Sequence, residues 1–400
     1  MPSLRKHLVG LSANTFLLAL SSFFADISTE MLYPLLPLFL TQTLGASASV
    51  VGLIDGIAQA TQNLAQGLSG WLSDRLQRRK PIALIGYVGA AVAKPLIGLS
   101  TSWAGVLGAR SLDRLAAGTR SAPRDALIAA SADDAHRGKA FGLEAMADNL
   151  GAFLGPLVAI VLIGPLQVSL RAIFLLALIP GSMAALMVLP VRERAAPSPA
   201  KARLDLGLRR FPRSYWRFLA ATAIFGFGNS SNAFLILRTR DLGASLPMTI
   251  FVYALFNLVA ALASFPAGAL SDKLGRKGVL LMSFLLFLGV YAGFGFATDV
   301  VLIGVLFVLY GIHQGIFRSV GKAFAADFVP SELRASGIGW YTATIGLTGL
   351  VASIVGGQLW TRISPSATFV FGAASALLGS VALALFVPEK RAIGEMNVFP

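Results

Sequence analysis

The chain has 400 residues, 56% hydrophobic and only 13% charged, where a soluble domain carries about 25% charged residues, so it cannot supply a solvated surface. A formal net charge of +14 would suggest nucleic acid in a soluble protein. Here the basic residues crowd the loops on one side of a membrane, as topology requires, and no nucleic-acid partner is expected.

A spanning helix takes roughly 20 mostly apolar residues. That length predicts twelve spans, at 12–40, 48–71, 81–99, 103–126, 138–163, 169–190, 215–238, 246–270, 278–297, 300–324, 336–360 and 366–387. The first apolar stretch, Leu11–Leu40, is far longer than a signal-peptide core and lacks a small-residue cleavage site. Most loop Lys and Arg fall on one side, at Arg5 and Lys6, Arg75 to Lys80, Arg137 and Lys139, Arg192 to Arg217, Lys273 to Lys277, Arg334, and Lys390 with Arg391, against Arg171, Arg238, Arg240 and Arg362 on the other. Both termini are therefore expected in the cytoplasm, with the chain in the inner or plasma membrane. The segment from Val191 to Arg213 is rich in Pro, Ala and Arg and reads as a cytoplasmic linker between an N-terminal bundle (1–190) and a C-terminal bundle (214–400).

The two halves echo each other. GWLSDRLQRRK at Gly70–Lys80 returns as GALSDKLGRK at Gly268–Lys277, 198 positions on. Arg120-Ser121 falls the same distance before Arg318-Ser319, and Arg137-x4-Gly142 is answered by Arg334-x4-Gly339. Parallel repeats of this kind build transporters whose substrate site lies near mid-membrane.

Twelve helices, the duplication, the central linker and the charged motif after the second helix resemble the major facilitator superfamily, over nearly the whole chain. Arg114-x-x-x-Gly118 is similar to that family's R-x-x-x-G motif, and Gly151-x-x-x-Gly155-Pro156 to the G-x-x-x-G-P signature of its proton-driven exporters. Two departures stand out: Gln77 replaces the usual Gly of the first loop, and Leu157–Ile160 lacks the further Gly pair of the signature. The resemblance implies an all-α polytopic protein of two pseudo-symmetric six-helix bundles, acting as a monomer. It also implies that the charged loops latch the cytoplasmic side. Gly70, Asp74, Arg75, Arg78 and Arg79 would form the first latch, with Asp125 as partner, and Gly268, Asp272, Lys273 and Arg276 the second. Gly151, Gly155 and Pro156 would serve gating. A carboxylate at Asp74 can cap a neighbouring helix, where the macrodipole favours negative charge.

Ionisable residues at membrane depth are costly and usually functional. Asp26 and Glu30 share one face of the first helix, close to Tyr33, and Asp55, Gln59, Gln62 and Gln66 form a stripe on the second. Lys94 lies on the third helix, Arg110, Asp113, Arg114, Arg120 and Arg124 on the fourth, and Glu144 and Asp148 on the fifth. Depth alone pairs Asp26 with Arg114, Glu30 with Arg110, Asp55 with Lys94, and the two acids of the fifth helix with Arg120 and Arg124. A carboxylate that gives up its arginine in this medium takes up a proton instead. On that ground Asp26, Glu30, Arg110, Asp113 and Arg114 are the expected proton-coupling residues, with static ion pairing as the competing role.

The C-terminal half has few acids and offers a hydrogen-bonding wall instead. Tyr33, Asp55, Gln59, Lys94, Asn229, Asn232, Asn257, His313 and Gln314 are the expected substrate-cavity residues. Cysteine is absent, and the three histidines (His7, His136, His313) are scattered, so no metal site or cofactor is expected. The sequence carries no H-E-x-x-H, G-x-S-x-G or P-loop motif, which disfavours an embedded enzyme, a sensor or an ATP-driven pump. The leading expectation is proton-coupled efflux of a small organic molecule. Uptake of an anionic metabolite by proton symport is the alternative.

Overall fold

The computed structural model describes residues 11–76, 78–131, 137–193, 211–329 and 334–389, and among them every regular element is a helix. The first span is α1a (Ala13–Glu30), a short α1b (Leu36–Leu38) and a π-helical turn at Phe39–Thr43. Then come α2 (Ala48–Leu76), α3 (Arg79–Leu99), α4 (Trp103–Ala130) and α5 (Arg137–Ile163), with α6a (Leu170–Leu176) and α6b (Leu178–Val188) forming the sixth span. The second set is α7a (Arg213–Gly226) with α7b (Asn232–Asp241), α8 (Leu246–Leu274), α9 (Arg276–Phe296), α10 (Val300–Asp327), α11 (Arg334–Arg362) and α12 (Pro365–Phe386). Several helices start on a side-chain oxygen that satisfies an otherwise orphaned amide. Ser12, Ser102, Ser169, Ser231, Asp299 and Ser364 each accept from an amide two or three residues ahead.

Three spans expected to be continuous are interrupted. The first breaks after Glu30, ahead of Pro34 and Pro37, because proline disfavours helical geometry in the residue before it. The sixth is interrupted at Ala177, three residues before Pro180. The seventh breaks across Phe227–Ser231, where Gly228, Asn229 and two serines offer poor helix formers, and Ser231 caps the restart through Ala233 N at 3.0 Å. Conversely, α2, α4 and α8 run beyond their expected ends at 71, 126 and 270 to Leu76, Ala130 and Leu274. A helix needs apolar residues only where it crosses lipid.

These elements make twelve transmembrane helices in two pseudo-symmetric six-helix bundles. Eight, among the described residues, are long and apolar enough to be recognised as spans by composition. The other four are the broken first and seventh spans and the charge-bearing α2 and α4. On α4 the burial pattern is inverted relative to a soluble helix. Leu112 and Leu115 are exposed while Arg110, Asp113, Arg114 and Arg120 are buried.

The chain divides into two compact units, Met1–Arg203 with Ser245–Ala254, and Leu204–Ala244 with Leu255–Pro400. In the first, glycines let backbones touch, as small residues do between membrane helices. A Cβ on Gly151 of α5 would stand 2.5 Å from Phe23 O of α1a, and one on Gly155 would stand 2.8 Å from Met31 N. Gly118 of α4 meets the α2 backbone at Gln62 and Gln66, and Gly86 of α3 meets the α4 backbone at Ala116. In the second unit Gly311 and Gly315 bring α10 onto the backbone of α8 at Phe256 and Ala260. That unit's core is a nest of rings. Phe225 stacks on Phe284 at 3.9 Å and Phe287 on Tyr291 at 3.9 Å, with His313 beside them.

Among the described residues, the repeated motif makes matching bonds in both copies. Ser73 Oγ donates to Gly70 O at 2.9 Å, and Ser271 Oγ donates to Gly268 O at 2.7 Å. Lys80 Nζ reaches Leu189 O beyond the end of α6b, and Lys277 Nζ reaches Ala384 O near the end of α12, at 2.6 and 2.9 Å.

Candidate functional site

The charges of the first unit fall into two clusters, set by which face of α4 each residue occupies. Around Asp113, fully buried, three cations converge. Its Oδ2 accepts from Arg110 Nη1 at 3.0 Å and from Arg114 Nε and Nη2 at 2.9 and 2.7 Å. Its Oδ1 lies 3.1 Å from Lys94 Nζ of α3. Arg114 Nη1 also donates to Gln62 Oε1 of α2 at 3.2 Å, and Arg110 Nη2 faces Asp55 Oδ1 at 3.8 Å. At the edge of this cluster Tyr33 donates to Asp55 at 3.4 Å and stacks on Tyr253, which donates to Glu30 Oε2 at 2.9 Å. Tyr253 lies in the Ser245–Ala254 segment that belongs to the first unit.

The second cluster lies one to three helical turns along α4. The carboxyl groups of Asp26 of α1a and Asp148 of α5 lie close to each other, and Arg120 Nη2 stands 4.0 Å from Asp26 Oδ1. The Arg120 guanidinium lies 4.6 Å from the ring centre of Tyr87, while its Nε and Nη1 are buried without a hydrogen-bond partner. Arg124 pairs with Glu144 at 2.9 Å and with its neighbour Asp125 at 2.8 Å, and it donates to Ser22 Oγ at 2.8 Å. Ser22 in turn donates to Glu144 at 3.0 Å.

Three of the pairings inferred from depth are replaced. Arg114 engages Asp113 and Gln62 while Asp26 meets Arg120; Lys94 meets Asp113; and Arg110 reaches Asp113 and Asp55. The reason is local. Asp113 sits three residues from Arg110 and beside Arg114, so both guanidiniums close on it without crossing the bundle. The pairing of Arg124 with Glu144 is the one that depth foresees.

Other expected site residues are placed as follows. Gln59 is exposed on α2, and Gln62, one turn on, joins the cluster instead. In the second unit Tyr310 donates to Asn232 Oδ1 at 2.8 Å and accepts from Gln314 Nε2 at 2.9 Å, which makes one polar strip. Asn229 lies in the break of the seventh span and Asn257 on α8. His313 is not part of that strip. It is fully buried, with Nδ1 2.9 Å from Ser283 Oγ of α9 and its ring among Phe225, Phe287 and Phe317.

Among the loop residues, Asp125 is taken by Arg124. The carboxylate at the start of α3 is Glu193, which accepts from the Arg79 and Lys80 amides at 2.5 and 3.2 Å. Arg78 is the N-cap residue of that helix, and Arg75 is exposed in the last turn of α2. In the second copy Arg276 pairs with Asp327 at 2.7 Å and donates to Ala323 O at 2.7 Å, and Lys273 is exposed. The side chains of Asp74 and Asp272 lie outside the described residues. Gly151, Gly155 and Pro156 are at or beside the α1–α5 contact. The residues whose importance the sequence understates are Asp148, Arg120, Tyr253 and Glu193. Asp148 could have been found from its place three residues before Gly151, since a glycine that brings α1 into contact also brings Asp26 to that turn of α5.

A helical bundle built twice, with ion clusters sealed inside one copy, defines a polytopic membrane transporter. The profile of the Major Facilitator Superfamily matches residues 18–237 and 218–395. An uncharacterized MFS-type transporter of Methanocaldococcus jannaschii is 36% identical over 383 residues, 94% of this chain and 95% of that one. A probable 4-methylmuconolactone transporter of Cupriavidus pinatubonensis is 28% identical, covering 96% of this chain and 92% of its own. The crystal structure of the nucleoside transporter NupG shares the fold with a TM-score of 0.79 at 15% identity, over 93% of this chain and 99% of that one. The chain belongs to the Major Facilitator Superfamily and is a multi-pass secondary transporter.

Proposed function

We propose that this transporter is driven by protons and that Asp26 and Asp148 carry the coupling proton. The carrying observation is the close approach of the two carboxyl groups where Gly151 brings α5 onto α1a, with Arg120 beside them. Two ionised carboxylates have only acceptors to offer each other, so a buried pair is favoured when one of them holds a proton. When that proton leaves, adjacent negative charges repel. Arg120, 4.0 Å from Asp26 and holding two unpartnered donors, is placed to close on the freed carboxylate. The proton passes to water, and α1 is drawn from α5 toward α4. Asp26 keeps the role expected of it, whereas Asp113 and its three cations read as the fixed part of the first unit. Glu30, Arg110 and Arg114 then hold or sense cargo instead of carrying the proton.

We read the direction as efflux by proton antiport, supported by the similarity of Gly151-x-x-x-Gly155-Pro156 to the signature of proton-driven exporters. The relative named for 4-methylmuconolactone fits a small organic cargo. The loop charges support a position in the inner or plasma membrane with both termini in the cytoplasm. A single chain supplies both bundles, which supports a monomer, and the motif survey supports transport without enzymatic chemistry.

A cargo-independent experiment tests the proton site. Infrared spectra of the lipid-reconstituted protein near neutral pH are expected to show a protonated-carboxyl C=O band that Asp26→Asn and Asp148→Asn each diminish. A band untouched by both variants defeats the reading. The sign of cargo movement under an imposed pH gradient separates antiport from symport.

A further inference from the structure

We propose that Arg110 anchors an organic carboxylate, and that the cargo is a small carboxylic acid with a flat, ring-like body. This rests on the transporter reading above, but not on which residues carry the proton.

The two arginines flanking Asp113 are used differently. Arg114 grips Asp113 Oδ2 with the side-on fork of its guanidinium, Nε and Nη2. Arg110 spends only Nη1 on that oxygen. Its own fork holds no hydrogen bond. Nε is buried without a partner, and Nη2 stands 3.8 Å from Asp55 Oδ1, beyond hydrogen-bond reach. Arg110 is only 4% exposed, so its Nε is a donor left unmade inside the protein, beside an Nη2 held only by the long ion pair with Asp55. Such vacancies are uncommon because each buried donor left unmade is costly.

The fork's geometry matches the two oxygens of a carboxylate. Asp113 cannot fill it, since its oxygens already serve Lys94, Arg110 and Arg114. Asp55 stands opposite the fork but is shared with Tyr33, and it occupies the position of a displaceable internal anion. An incoming carboxylate takes over the pairing at Arg110 and adds one negative charge, while the displaced Asp55 keeps its bond from Tyr33. A phosphate dianion would add two. Tyr33 lies 5.8 Å from the Arg110 guanidinium and stacks at 17° on Tyr253, and this pair offers a flat apolar face for the body of the acid.

The test uses the purified full-length protein in detergent at fixed pH with no gradient, and thermal shift as the readout. Benzoate is expected to raise the melting temperature in a saturable way, while its neutral isostere benzamide does not. Asp55→Asn, which removes the competing anion, is expected to lower the half-saturating benzoate concentration several-fold. Arg110→Lys keeps the charge but loses the fork and is expected to raise it about tenfold, and Arg110→Gln is expected to abolish the response. Equal shifts by benzoate and benzamide overturn the proposal, as does an unchanged benzoate response in Asp55→Asn or a retained one in monodisperse Arg110→Gln. A shift by inorganic phosphate without one by benzoate overturns the carboxylate assignment. The benzoate response is expected to persist in Asp148→Asn. Its loss in the Arg110 variants with the infrared band intact, or the reverse, tells failure of one reading from failure of the other.

Discussion

Asp26 on α1a and Asp148 on α5 bring their carboxyl groups close together, with Arg120 of α4 4.0 Å from Asp26. The pair meets where Gly151 lets the two helices touch; a Cβ there would stand 3.0 Å from that of Asp26. The proposed proton site and the helix contact therefore share one place. Asp148→Asn keeps the size and polarity of the side chain but fixes the neutral state. It is expected to cut pH-gradient-driven transport at least tenfold while leaving cargo exchange across sealed vesicles within about twofold. Equal losses in both assays would assign Asp148 a structural role.

The contact itself makes a second prediction. Gly151→Val inserts two methyl groups and a Cβ against Phe23 O, and overpacking of this kind costs about 1–3 kcal/mol. A lower melting temperature and reduced folded yield are expected. Gly268→Ala is the control, because nothing lies within 4 Å of a Cβ there. As a helical glycine replaced by alanine, it is expected to be neutral or to stabilise by about 0.5–1 kcal/mol.

Asp113 is the sole carboxylate in hydrogen-bond contact with Arg110 and Arg114 among the described contacts, and Lys94 shares it. Asp113→Asn strands buried cations, a loss of about 3–5 kcal/mol. Thermal unfolding should register it as the most damaging single change in the first unit. Adding Lys94→Met should recover part of the loss, since one of the stranded charges is then removed. No recovery would mean that Lys94 and Asp113 act independently.

Glu193 caps α3 through two amides, and its negative charge faces the positive end of the helix. Glu193→Ala is expected to cost about 1 kcal/mol, the usual worth of an N-terminal cap, and Glu193→Asp should recover some of it. Hydrogen exchange at Arg79 and Lys80 reports the effect directly, by faster exchange in the alanine variant.

His313 is fully buried among aromatic rings, bonded to Ser283 through Nδ1, with Nε2 unpartnered. If its role is packing, His313→Phe should keep transport within about threefold of the parent. Loss of pH dependence in that variant would instead make it a titrating group.

The architecture was legible in the sequence because membrane solvation is a one-dimensional constraint. Runs of apolar residues, loop charge and a motif recurring after 198 positions fix the helix count and the duplication without reference to any contact. The breaks at Pro34 and Pro37, at Pro180 and at Gly228–Ser231 were also written locally, but apolar length masked them. The partners were not legible. Charge, type and depth of every ion-cluster residue could be read from the sequence, yet depth paired Asp26 with Arg114, where the folded chain gives Arg114 to Asp113 and Asp26 to Arg120 and Asp148. An arginine side chain spans more than a helical turn and Asp113 lies on the same helix, so rotation about the helix axis decides its partner, and rotation is fixed only by glycine contacts such as Gly118 on α2 and Gly151 on α1a. By itself, then, the sequence determined that this is a duplicated, charge-bearing membrane bundle. Only the tertiary structure decided which carboxyl groups lie side by side and which guanidinium leaves its Nε unpartnered, because both depend on angstrom-scale approach between helices that one-dimensional spacing does not encode.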